Sequence, residues 1–122
     1  MGIMQMMMAG GGGEPLDVVN SLRVIDDDSA YLYWTPSGAG NRKTWTWSGW
    51  VKRNTLGTEQ VIWTGGASTS SGEWSVLRFT TTDQLQFINN TSNTTDISLV
   101  TTQVFRDTSA WMHIVLRADI SN

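Results

Sequence analysis

The chain has 122 residues, a formal charge of −3 and no cysteine, and 16% of its residues are charged against a usual share of roughly 25%. That length makes about one domain, and the absence of thiols excludes disulfides and thiolate metal sites. The acidic balance argues against nucleic-acid partners, which need clustered Lys and Arg, and no apolar run approaches the ~20 residues of a membrane helix.

Residues 1–13, MGIMQMMMAGGGG, stand apart in composition. Five of the six methionines fall in the first eight positions, and the glycine run 10–13 reads as a flexible tether. Ile3, Met4, Met6, Met7 and Met8 are the candidate partner-binding residues, because Met is adaptable and over-used on docking surfaces. The alternative is a frayed terminus. No Lys or Arg precedes Ile3, so the run makes a poor secretory signal.

Residues 14–122 are expected to form the folded domain. Residues 21–25, SLRVI, alternate as a first strand, and residues 30–34, AYLYW, as a second. Between them Asp26, Asp27 and Asp28 form an acidic turn. Adjacent carboxylates are Ca²⁺ ligands by chemistry, but the spaced pattern of an EF-hand loop is missing. Residues 35–41, TPSGAGN, are a turn-rich loop.

The organising stretch is residues 43–52, KTWTWSGWVK, with three of the seven tryptophans within six positions. Alternation sets Trp45, Trp47, Gly49 and Val51 on one face and Thr44, Thr46, Ser48 and Trp50 on the other. No helix offers a face to that pattern, and it predicts the central strand of a β-sandwich.

Residues 53–58 read as a turn and residues 59–64, EQVIWT, as a strand with Val61 and Trp63 opposite Gln60, Ile62 and Thr64. Residues 65–72, GGASTSSG, have the composition of an exposed loop. Strands are expected over residues 74–80, 84–89 and 97–100, with Leu85 and Phe87 inward, a tight turn at 81–83 and a hairpin loop over 89–96. That loop carries N-x-S/T triplets at Asn89, Asn90 and Asn93, in a chain where Asn and Thr are simply common. After a turn over 104–111, residues 111–119 form the last strand. Trp111, His113, Val115 and Arg117 line one side, and Met112, Ile114, Leu116 and Ala118 make the core side. Short, regularly spaced strands without a helical period give an all-β, antiparallel sandwich of jelly-roll type.

Trp50, Trp63 and Trp74 border loops or point away from the main indole face, which makes them candidate contacts for a glycan or a neighbouring subunit. The competing explanation is burial, the usual fate of large aromatics. Nothing points to a cofactor. A lone histidine, His113, builds neither a metal site nor a triad, and no GxxxxGK[ST] loop is present.

WTWSGWVKR (residues 45–53) resembles the "f-t-v-s-x-W-v-k" strand of laminin-G-like, concanavalin-A-like jelly-roll domains. WMHIV (residues 111–115) resembles their "W-x-H-v-v" strand. Together, NRKTWTWSGWVKR and FRDTSAWMHIV are similar to such domains in structural and tail-fibre proteins of tailed bacteriophages. The resemblance spans roughly residues 21–119. It implies a non-enzymatic virion subunit of the phage tail that anchors to other tail or adaptor proteins and supports host attachment. A homo-oligomer, with a trimer as one option, and a host-surface glycan are the implied partners. The family's "Y-V-N-G" strand is missing, so the sandwich is expected to be the N-terminal part of a longer fold, or to be completed by neighbouring subunits. The same fold hosts glucanases with an E-x-D-x-x-E strand. Here Glu14, Glu59 and Glu73 are isolated, and no facing carboxylate pair is evident.

Overall fold

The computed structural model describes residues 20–24, 30–68 and 72–120. The chain divides into two units, Met1–Gly40 and Asn41–Asn122. The docking candidates Ile3, Met4, Met6, Met7 and Met8 and the acidic run Asp26 to Asp28 lie outside the described residues.

In the first unit the described residues form no strand. The two strands expected over 21–25 and 30–34 are therefore corrected: residues 21–24 and 30–34 are exposed and outside any ladder. Alternation in sequence makes a strand only where a partner completes the hydrogen-bond ladder. The Tyr31 and Tyr33 rings lie 6.2 Å apart, and both are exposed.

The second unit is all-β, and no helix occurs among its described residues. Six antiparallel strands form two packed sheets, a β-sandwich: β1 (Thr44–Val51), β2 (Gln60–Ser68), β3 (Glu73–Phe79), β4 (Gln84–Thr91), β5 (Thr94–Val104) and β6 (Met112–Asp119). Strands β2-β3-β4-β5 make a meander, and β1 pairs with β6 in a two-stranded sheet. The tryptophan strand is thus one of two in a ribbon, rather than the centre of a wide sheet. Its register with β6 runs unbroken from Thr44 opposite Asp119 to Val51 opposite Met112.

The core lies between the sheets. Leu77, Phe79 and Phe87 from the meander meet Ile114 from β6, and Trp45, Trp47, Met112 and Leu116 pack around them. As alternation requires, Trp45, Trp47, Gly49 and Val51 face inward and are half-buried. Trp45 lies 5.5 Å from Trp63 and meets Phe87 edge-on at 5.9 Å. These inter-sheet aromatic contacts add specific geometry to the burial of large apolar rings. Gly49 is needed here, because a Cβ would stand 2.9 Å from the Trp47 ring.

Four loop or strand expectations change. A register shift between Val61 and Trp63 places Ile62 and Trp63 both against the core and leaves Val61 exposed. A bulge adds one residue to a strand, so the period of two breaks there. Gly65 and Gly66 belong to β2 rather than to a loop. The loop expected over 89–96 shrinks to Ser92 and Asn93, with φ of 51° and 63°, joining Thr91 to its partner Thr94. Positive φ at both central residues is the geometry of the two-residue hairpin. Finally, β5 begins three residues earlier than expected and runs for 11 residues.

Two strands stand opposite four. Leu99 on β5 shares the inward row with Leu77 and Phe87, yet it is 59% exposed. On the other face of the meander, Val76 and Ile88 are opposite one another and buried.

Candidate functional site

The three candidate tryptophans have different surroundings. Trp63 is half-buried and joins the core through Trp45. Its ring also fills the space beside Gly65, where a Cβ would approach to 2.7 Å. Trp74 is half-buried on β3, between Gly66 on β2 and Asn90 on β4 in the strand register. The Asn90 Oδ1 is buried and has no hydrogen-bond partner. Trp50 alone of the three is classed as exposed, at 38%.

Trp50 stands on the outward face of the β1–β6 ribbon because it falls on the parity of Thr44, Thr46 and Ser48. Directly opposite is His113. The two rings stack with centroids 4.6 Å apart and planes 26° from parallel. His113 Nε2 in turn lies 3.1 Å from the Ser48 hydroxyl. Two residues, His113 on β6 and Ser48 on β1, therefore hold the Trp50 indole in place. Further along the same face Thr46 pairs with Arg117 and Thr44 with Asp119. The Arg117 guanidinium reaches Asp119 Oδ2 at 3.2 Å. Val115 and, just before β6, Trp111 are also exposed. This face collects aromatic, imidazole, hydroxyl and paired charged groups.

A second polar centre was not expected from the sequence. Arg53 and Asp83 are 2% and 5% exposed. Arg53 lies two residues past Val51, the last inward position of β1, and keeps that parity; that is the signal that would have found it. Its Nη1 lies 3.0 Å from Asp83 Oδ1 and donates to the Phe105 carbonyl at 2.7 Å. Nε donates to Gln60 Oε1 at 2.9 Å and Nη2 to the Thr55 carbonyl at 3.1 Å. The guanidinium carbon stands 4.5 Å from the centre of the Phe79 ring. Asp83, in left-handed geometry at φ 65°, also accepts from Gly57 N–H at 2.8 Å and Arg106 Nε at 3.0 Å. The Gly57 amide is the first cause holding its carboxyl below the ordinary range. Burial opposes that shift, and Arg106 and Arg53 reinforce it.

Every donor and acceptor named there is engaged, and the guanidinium is enclosed. The arrangement fastens the end of β1 to the β3–β4 turn and to the segment after β5, a structural task. Glu59 is ion-paired with Arg78 at 2.7 Å. Among the described residues no group of three His, Asp or Glu side chains is placed to hold a metal ion. Asn89, one of the N-x-S/T positions, accepts from Ser75 Oγ at 2.7 Å and is half-buried in β4.

No protein-family model matches the chain, and comparison with curated proteins and with solved structures yields no match.

Proposed function

We propose that the chain is a non-enzymatic virion protein, a tail-fibre or tail-associated subunit of a bacteriophage, built on a laminin-G-like, concanavalin-A-like jelly-roll domain. One observation carries this reading. The two stretches that resemble that family, WTWSGWVKR and WMHIV, largely form β1 and β6, which pair residue for residue although some sixty positions separate them. A resemblance confined to unrelated surface segments would have no reason to converge on one ribbon. In this reading the Met-rich peptide fastens the domain to other tail or adaptor proteins. The uncovered inward row at Leu99 suits packing against a neighbouring copy.

Mass spectrometry of purified particles tests it. The chain is expected at a fixed stoichiometry with tail proteins, and deletion of residues 1–10 should release it. Particles lacking the protein would overturn the reading.

A second reading, a carbohydrate-binding module, is favoured by a separate observation. Trp50 presents an exposed indole on a prepared base, His113. Glycan-array binding that disappears in Trp50→Ala would support this reading, and an array without signal would remove it.

A further inference from the structure

We infer that the outward face of the β1–β6 ribbon is a binding site for a neutral carbohydrate, with Trp50 as the ring on which a pyranose stacks. The inference rests on the carbohydrate-binding reading and adds the place and the ligand class.

The sequence supplies the first step. The outward positions of β1 before Trp50 are Thr44, Thr46 and Ser48, small hydroxyl residues suited to solvent. The inward face already holds Trp45 and Trp47, so the sandwich does not require a third indole on the wet side. An exposed Trp gains little from the fold but supplies a flat apolar surface to a ligand.

The geometry supplies the second. One face of the Trp50 indole is taken by His113 at 4.6 Å, and His113 is tied to Ser48 at 3.1 Å. The residue is 38% exposed even so. A ring fixed before binding loses little conformational freedom when a ligand arrives. A pyranose has a C–H face that packs on such a ring and a rim of hydroxyls that needs donors and acceptors. Ser48, Thr46 and Arg117 offer these along the same face. From Trp50 to Thr46 the strand rises about 13 Å, more than one sugar ring. Trp111, just before β6, is a second exposed indole.

Charge decides the class. Arg117 is paired with Asp119 on this face, so its cation is already answered. Lys52, exposed just past β1 on the parity of Trp50, is a single further cation and not a row, so a phosphate or an acidic polysaccharide finds little to track here, whereas a neutral polyhydroxyl ligand needs no cation.

The test is affinity electrophoresis of the full chain through gels containing dextran, mannan, β-1,3-glucan or galactan, with heparin as the anionic probe. At least one neutral polysaccharide should retard the wild type. Trp50→Ala should weaken that retention by about tenfold or more, as expected for an aromatic anchor, and Trp50→Tyr should restore part of it. Circular dichroism of both variants should match the wild type. Retention unchanged by Trp50→Ala would remove this site while leaving carbohydrate binding standing. No retention on any neutral gel would overturn both, leaving virion attachment to be judged by particle composition. Retention on heparin alone would overturn the neutral-ligand assignment.

Discussion

Phe79 is where the sandwich core and the buried Arg53 meet, so its truncation is the most informative single change. The ring is 1% exposed and packs in one cluster with Leu77, Phe87 and Ile114. Phe105 meets it edge-on at 5.8 Å, and the Arg53 guanidinium covers it at 4.5 Å. Phe→Ala in a core costs about 3–5 kcal/mol, which already includes most of the lost packing. The edge-on pair adds roughly 0.5–1.5 kcal/mol, and a desolvated cation over the ring up to about 2 kcal/mol. These contributions overlap, because one cavity removes all three. Arg53 would keep its bonds to Asp83, Phe105 and Gln60, so no charge is stranded. We therefore expect Phe79→Ala to cost about 4–6 kcal/mol and Phe79→Leu about 1–2 kcal/mol. A unit the size of residues 41–122 holds about 4–12 kcal/mol in all, so the alanine variant should be near the limit of folding. Urea denaturation followed by tryptophan fluorescence and far-UV circular dichroism would measure both. A cost below about 1 kcal/mol for Phe79→Ala would refute the packing of the two sheets around this ring.

Two further outcomes follow from the same geometry. The Asp83 carboxyl is lowered in the folded state, first by the Gly57 amide and then by Arg106 and Arg53. Its contribution is therefore complete above the unfolded value of about 3.9 and fades as pH falls through the lower folded value. Asp83→Asn should be less stable than wild type at neutral pH and show a flatter decline below about pH 4 in urea midpoints; the slope left by Asp107, lowered by the Ser109 hydroxyl and amide, should persist. Gly66→Ala should be destabilised by at least about 1–3 kcal/mol in the same assay, since φ is 143° and a Cβ would lie 2.4 Å from the Glu73 carbonyl; Gly38→Ala, with open space around it, should stay within about 0.5 kcal/mol.

The indole pattern of β1 and the apolar set of β6 were legible because both strands are uninterrupted and have one wet face. Period two then survives along their whole length. Where the ladder is irregular, the sequence misleads. Ile62 and Trp63 lie on the same side only because of a bulge, and a bulge has no composition of its own here. The polar run from Asn89 to Asp96 reads as a loop, yet edge strand β5 can carry Thr, Asp and Ser in water while its backbone pairs with β4. Thr101 shows a further compensation. Its hydroxyl accepts from the Leu85 amide where the β4–β5 register slips, a role that no local pattern announces.

The candidate face was half legible. The outward direction of Trp50 and that of His113 follow from alternation, but their apposition depends on the register between strands some sixty residues apart. The Arg53–Asp83 pair is more remote from sequence reasoning. The parity of β1 points Arg53 inward, but Asp83 looks like ordinary turn chemistry, and only the topology brings the end of β1 onto the β3–β4 turn. Conversely, residues 30–34 have a strand's pattern without a strand, because no ladder partner meets them among the described residues.

The central claim is that β1 is two-sided, with two inner indoles joining the sheets and one outer indole stacked on His113. Nuclear Overhauser spectroscopy of the tryptophan rings tests it most directly. The account predicts cross-peaks from the Trp45 indole to Trp63 and Phe87, and from Trp50 to His113 but not to the core. Cross-peaks from Trp50 to Phe87 or Leu77, with Trp45 showing none to the meander, would contradict it.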